Sequence, residues 1–394
     1  MAYVLGSRRI IGRCGNESSS MPAPIKIMIL QTRHIESISY LTAGLVSAFP
    51  AGQYQVTLVY LEDGAATPED RLAHQCVFLG LDKTDYKGLR LKAMGKLRPF
   101  LQQHHFDVII ANMYKPIHLL MQLRRFVSAP VCIGIIHAFG EFDRLGRRLM
   151  MRWWLDKRWH LVGVSEPVRQ YLINAGAGVH PGNSAAINNA VDVAAIQHAV
   201  LGRVEARERL GLPVDGRVFG TIGRCVKGKR HLELIQAFER FSSARNNVFL
   251  AIIGAGELLP SLEQYVRERD LGNKVFLCGY IPRAAGLVRA LDVFVFPSES
   301  EGFGLALLEA MAAGVPAIVN RVEPLASIVA ECGYSVDCAN TDTLVQAMDD
   351  CYRQSPGELS ALGEAHYERV RTHYDIAGFR QAYRALVERL LRGV

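Results

Sequence analysis

The residues of this chain best placed to do chemistry lie in one segment, Phe296-Pro-Ser-Glu-Ser-Glu-Gly-Phe-Gly-Leu-Ala-Leu-Leu-Glu-Ala-Met-Ala-Ala-Gly-Val-Pro-Ala-Ile318. A strand ending at Pro297 is followed by a glycine-punctuated turn, then by strong helix formers from Leu305 that Gly314 and Pro316 close. Such a helix start sets unpaired amides and the positive end of a dipole at the C-terminal edge of a parallel sheet, where open α/β folds bind anions. Glu301 falls in the turn and Glu309, eight residues on, inside the helix. A lone glutamate is usually a solvated surface group, so the pair gains meaning only from its frame. A second set, Gly220-Thr-Ile-Gly-Arg-Cys-Val-Lys-Gly-Lys-Arg-His231, follows another strand and offers Arg224 and Lys229. Two cations at the mouth of a strand can neutralise a diphosphate; alone, they would read as solvated loop residues.

The longer segment resembles the signature of glycosyltransferase family 4, Glu-x7-Glu inside a Pro-Ser-x-x-Glu-Gly-Phe-Gly frame, and matches it over more than twenty residues. The shorter one is similar to that family's Gly-Arg-x4-Lys element. The resemblance implies a GT-B fold, two doubly wound Rossmann-like domains facing a central cleft, and a retaining hexosyltransferase like those of the lipopolysaccharide core. It implies a UDP-, GDP- or ADP-sugar donor, no required cofactor or metal, and a glycan or lipid-linked glycan as acceptor. By the same resemblance Arg224 and Lys229 hold the diphosphate, the Phe303-Gly304-Leu305 backbone caps it, Glu309 bonds the ribose hydroxyls and Glu301 contacts the donor sugar. Gly254, in Gly254-Ala-Gly256, matches a glycine turn near the nucleotide, and His137, at the end of an apolar strand, faces the sugar across the cleft.

Ser165-Glu166 and Asn188-Asn-Ala-Val-Asp192 match landmarks that are mainly architectural. There are two departures. Arg230 stands where the family usually has glycine, and a side chain there is expected to point outward. The family's Gly-Gly-x-Glu loop is replaced by Gln31-Thr-Arg-His-Ile-Glu-Ser-Ile-Ser-Tyr40, in which Glu36 keeps the acidic position and Arg33 and His34 become candidates for a charged acceptor. The rival readings are a GT-B-fold epimerase and a nucleotide-binding protein without catalysis.

These groups need sheets to carry them. Short β-branched runs alternate with stretches of helical period, the pattern of βαβ units. Strands are expected at Ile25 to Leu30, Tyr54 to Tyr60, Cys76 to Leu79, Asp107 to Ala111, Val131 to Ile136 and His160 to Val164. The rhythm restarts at Val218 to Ile222, Val248 to Ile253, Val275 to Leu277, Val293 to Phe296, Ala317 to Val319 and Tyr334 to Val336. Helices fall between, among them Leu89 to Gln103, Leu145 to Lys157 and Leu232 to Phe241. The charge-rich stretch Val193 to Gly216 reads as the linker. It divides an acceptor-side domain, 21–192, from a nucleotide-sugar-binding domain, 193–375, and the apolar stripe of 376–394 marks a helix crossing back to the first.

At 394 residues, 49% apolar and 21% charged, the chain suits two α/β domains and excludes fibrous or disordered classes. Residues 1–20 carry Arg8, Arg9 and Arg13 without an apolar core and read as a disordered tail, not an export signal. The eight cysteines form no CxxC pair and suit free thiols in a reducing cytosol. A net charge of +7 favours anionic partners, and the lack of a basic, aromatic-interleaved run argues against nucleic acid. With no long uncharged apolar stretch, a cytoplasmic protein is expected, peripheral on the inner membrane at most. The basic and aromatic run Arg147 to Trp159 invites a membrane reading, but its place between two strands favours a helix with Leu149, Trp153 and Trp154 packed on the sheet.

Overall fold

The computed structural model describes residues 23–35, 39–86 and 90–394. The tail expected over 1–20, the opening at Met21, Glu36 and Leu89 lie outside the described residues. The β-branched runs form two separate parallel sheets. The first has seven strands in the order β3-β2-β1-β4-β5-β6-β7. These are β1 Ile25–Gln31, β2 Tyr54–Glu62, β3 Gln75–Leu81, β4 Val108–Asn112, β5 Val131–Ile136, β6 Trp159–Gly163 and β7 Ser184–Ala186. The second has six, ordered β10-β9-β8-β11-β12-β13. These are β8 Arg217–Ile222, β9 Val248–Ile253, β10 Val275–Gly279, β11 Val293–Phe296, β12 Ala317–Asn320 and β13 Tyr334–Val336.

Strand order reverses between β1 and β4 in one sheet and between β8 and β11 in the other. At such switch points the flanking loops diverge and leave a crevice beyond the strands' C-terminal ends. Arg224 and Lys229 follow β8 and Glu301 follows β11, so the two candidate segments emerge on either side of the second crevice.

Helices cover the sheets: α1 Ser39–Ser47, α2 Leu91–Gln103, α3 Tyr114–Gln122, α4 Leu145–Trp154 and α5 Glu166–Asn174 in the first lobe. After α6 Val193–Ala199 and α7 Arg203–Leu210 come α8 His231–Ser242, α9 Leu259–Glu268, α10 Leu305–Ala312, α11 Leu325–Val329, α12 Thr341–Arg353, α13 Pro356–His373 and α14 Ile376–Arg392. The last of these packs on α1, with Arg384 Nε donating to the Ala48 carbonyl at 2.7 Å and the Tyr54 hydroxyl to Glu388 at 3.2 Å.

The stretch expected to be a linker is instead two helices, and its charge is partly interior. Arg207, on α7, is fully buried. It donates to the carbonyls of Ala290, Val214 and Gly216 and pairs with Asp292 at 2.6 Å, which satisfies its donors and binds α7 to the second sheet. Of Leu149, Trp153 and Trp154, expected to pack inward, only Trp154 does, against the His118 ring of α3. Leu149 is 49% and Trp153 82% exposed, while Met151 is the buried residue of α4. The inward face of α4 is set by α3, whose Tyr114 and His118 rings take Arg147 and Trp154.

Five enclosed histidines make a prediction about acid. Burial holds His118, His137, His160, His231 and His366 neutral, each lowered from 6.5 to about 4. A lowered value means that the unfolded chain takes the proton first, so this stability is intact above pH 6.5 and is lost as pH falls from 6.5 towards 4. At about pH 5 each costs on the order of 2 kcal/mol, together comparable to the whole stability of an ordinary protein. Denaturant melts are expected to lose most of their midpoint between about pH 7 and 5; a flat profile there would contradict this burial.

Candidate active site

The donor-side loops dock on each other before any side chain is considered. Lys229 closes a 3₁₀ turn, Lys227–Lys229, and the Glu299 amide donates to the Gly228 carbonyl at 2.8 Å, joining the β8 loop to the β11 loop. Lys229 and Glu301 then form an ion pair, both side chains less than one-fifth exposed, with the ammonium 5.1 Å from the centre of the Phe296 ring. Gly304 caps α10 with φ 112°, and the buried Phe303 meets the Tyr374 ring edge-on. The Leu307 and Leu308 amides of α10 donate to the Gly304 carbonyl, while those of Leu305 and Ala306 have no carbonyl inside the helix to bond.

Arg224 leaves the same loop exposed and, among the described residues, without a partner. Gly254 has a structural reason for being glycine. A Cβ there would stand 1.8 Å from the Gly223 carbonyl oxygen, so the β9 turn supports the loop carrying Arg224 from beneath. Arg230 is half-buried and holds a left-handed φ of 53° as it enters α8. That left-handed conformation is one that glycine adopts most readily.

Glu309 lies at the bottom of the cleft, enclosed by protein yet keeping some exposure. Burial raises its carboxyl from 4.5 to about 7, against a smaller downward pull from the Tyr40 hydroxyl. Tyr40 stands on α1 of the opposite lobe, and burial, followed by the Glu309 charge, pushes its phenol well up. The two groups lie close without a hydrogen bond of normal geometry. Between pH 4.5 and about 7 the unfolded chain gives up its proton first, so stability falls as pH rises through that window, by about 3 kcal/mol once complete. Glu309→Gln is therefore expected to be more stable than the native protein at about pH 8, the advantage shrinking toward pH 6; urea melts at both values check it.

From the first lobe, β5 delivers His137 and the adjacent β4 delivers Asn112. The His137 Nε2 and Asn112 Oδ1 are hydrogen-bonded, so this nitrogen donates and the neutral ring keeps a lone pair on Nδ1. Gly302 presses on His137 from the second lobe: a Cβ at Gly302 would lie 1.8 Å from the His137 carbonyl oxygen. Beside it Ser165 Oγ, buried and also capping α5, donates to the Gly302 carbonyl at 2.8 Å. Ser165 thus crosses the cleft, more than the architectural part expected of it.

The structure brings Lys229, Glu301 and the start of α10 together, and sets His137 against the Glu301 turn. It leaves Arg224 free on the loop above. His34 is turned to Asp70, 3.9 Å away, while Arg33 is exposed. Tyr40 and Asn112 were missed. Asn112 carried a signal, since it ends the strand beside that of His137, but Tyr40 sits in the loop that departs from pattern. Among the described residues no group of three or more His, Cys, Asp or Glu could hold a metal, the seven described cysteines are free, and no helix is long and apolar enough to cross a membrane.

Two parallel α/β lobes facing a cleft, with a helix start opening the second, are the arrangement of a GT-B fold. The family models agree: residues 38–195 match Glycosyltransferase Family 4 and residues 202–369 match Glycosyl transferases group 1. The chain belongs to the family 4 glycosyltransferases. It is 25% identical to the Escherichia coli UDP-Gal:alpha-D-GlcNAc-diphosphoundecaprenol alpha-1,3-galactosyltransferase over 66% of this chain and 69% of that one. It is 30% identical to the lipopolysaccharide core biosynthesis glycosyltransferase LpsD of Rhizobium meliloti over 47% of this chain, and spans 53% of that protein's length. The crystal structure of Anabaena HepE in complex with UDP-glucose shares the fold, with a TM-score of 0.76, 16% identity, and coverage of 94% of this chain and all of that one.

Proposed function

We propose that this protein is a retaining hexosyltransferase of cell-envelope polysaccharide or lipopolysaccharide synthesis. It moves a hexose from a UDP-, GDP- or ADP-sugar to a glycan or lipid-linked glycan, working peripherally on the cytoplasmic face of the inner membrane. The lobe boundary lies near residue 192. The observation that carries this reading is the meeting of Lys229 and Glu301 at the second switch point, opposite His137.

As the bond to the leaving diphosphate lengthens, negative charge builds on its oxygens. Arg224 and Lys229 meet that charge, each worth about 4 kcal/mol at 4 Å and an effective dielectric near 20, before desolvation is subtracted. This is the work a divalent ion does in other transferases, and the proposal requires none. The amides at Phe303, Gly304 and Leu305 complete the cradle. Glu309 accepts from the ribose hydroxyls and Glu301 from the donor sugar, while His137 offers its Nδ1 lone pair to a sugar hydroxyl.

The test is to incubate the purified protein with UDP-, GDP- and ADP-sugars and follow nucleoside diphosphate release, reading the product anomer by proton NMR. One donor class is expected to be consumed with retention. If no sugar nucleotide is turned over and none shifts the melting temperature, the reading is wrong. Release of free sugar without any acceptor product would favour the epimerase.

A further inference from the structure

We propose that the outward face of α4 is a docking surface for an anionic lipid bilayer. This deepens the peripheral-membrane part of the reading above and rests on it. Leu145, Leu149 and Trp153 recur at i, i+4 and i+8 and are 63%, 49% and 82% exposed, an unusual concentration of large apolar surface on one short helix. At about 100° per residue, Arg144, Arg148 and Arg152 fall beside this stripe. The opposite side is taken up by Met151, which is buried, and by Arg147 and Trp154, which contact Tyr114 and His118. No acidic residue occurs in the helix. Of the flanking carboxylates, Asp156 is paired with Arg158 and Asp143 accepts from the Tyr171 hydroxyl.

An apolar arc with arginines along its edge is the composition that lies in a headgroup layer, the indole at the interface and the guanidinium groups on lipid phosphates. A second copy of this chain fits worse. Pairing two such faces about a twofold axis would bring their arginines together, on a protein already carrying +7. The position also serves the chemistry. Residues 137–144 alone connect the His137 end of β5 to α4, so a bilayer on this face lies beside the acceptor side of the cleft.

Flotation of the full chain with phosphatidylcholine vesicles, with and without phosphatidylglycerol, tests this directly. Binding is expected only with the anionic lipid. Arg144→Ser/Arg152→Ser should weaken it about 25-fold, roughly fivefold per arginine. Leu149→Ser/Trp153→Ser should abolish it, with native melting temperature and native donor turnover in solution. The chain has three tryptophans, and with Trp159 buried and Trp154 partly so, a blue shift of emission on adding vesicles would come chiefly from Trp153. The docking is refuted if the native chain ignores anionic vesicles or the variants bind as it does. It is equally refuted if Leu149→Ser/Trp153→Ser converts a dimer to a monomer without changing flotation. Vesicle binding and donor turnover are read separately, so failure of the docking leaves the transferase reading standing, and the reverse holds.

Discussion

Lys229→Ala is expected to lower donor kcat/KM by a factor of about 10² to 10³, the usual cost of removing one preorganised group from developing charge. The effect has two parts. The diphosphate loses a cation, and Glu301, largely shielded from water, loses its partner. A second substitution separates them: Lys229→Ala/Glu301→Ala should recover melting temperature lost by Lys229→Ala without recovering turnover. Arg224→Ala should behave differently. Exposed and unpartnered among the described residues, Arg224 holds nothing in the free protein, so its loss should lower donor kcat/KM and leave the melting temperature alone. Steady-state release of nucleoside diphosphate, with thermal melts beside it, checks all three.

Gly302→Ala is expected to fold and to fail as an enzyme. The added methyl would stand 1.8 Å from the His137 carbonyl oxygen, a backbone atom that no rotamer change can move. The lobes must part to admit it, and the Ser165 hydrogen bond to the Gly302 carbonyl goes with the contact. A displacement near 1 Å between reacting groups costs about 10²-fold in rate, while the strands of each sheet stay paired within their own lobe. Ser165→Ala, which removes the hydrogen bond without the clash, should be milder. Turnover near the native level in Gly302→Ala would mean that catalysis does not use this closed arrangement.

Much of the second lobe was legible because its ligand-facing parts are turns, and turns are written in glycine and proline. Gly302, Gly304, Gly314 and Pro316 announce a strand, a turn and a helix start, and the carboxylates and cations are numbered from them. The first lobe is less explicit. Strand β7, Ser-Ala-Ala, lacks the β-branched and aromatic residues that mark the other strands. Tyr40 becomes informative only when α14 and the second lobe bring Glu309 opposite α1. Arg207 illustrates the opposite error: a charged side chain predicts exposure unless its acceptors are known, and two of them, the Ala290 carbonyl and the Asp292 carboxylate, lie more than eighty residues away. On α4 the sequence shows an apolar stripe and a basic one, but which of them faces the sheet depends on Tyr114 and His118, thirty-odd residues earlier.

Recognition of the diphosphate is assigned above to Arg224 and Lys229. Calorimetric titration of the native chain and of Arg224→Ala/Lys229→Ala, with the nucleoside diphosphate of the preferred donor and with its nucleoside, tests it most directly. The native protein should bind the diphosphate at least about 100-fold more tightly than the nucleoside, as two ionic contacts of about 1.4 kcal/mol each require, and the double variant should lose about 100-fold of that preference, keeping only what the α10 amides supply. An undiminished preference for the diphosphate in the double variant would mean that these two cations do not recognise it.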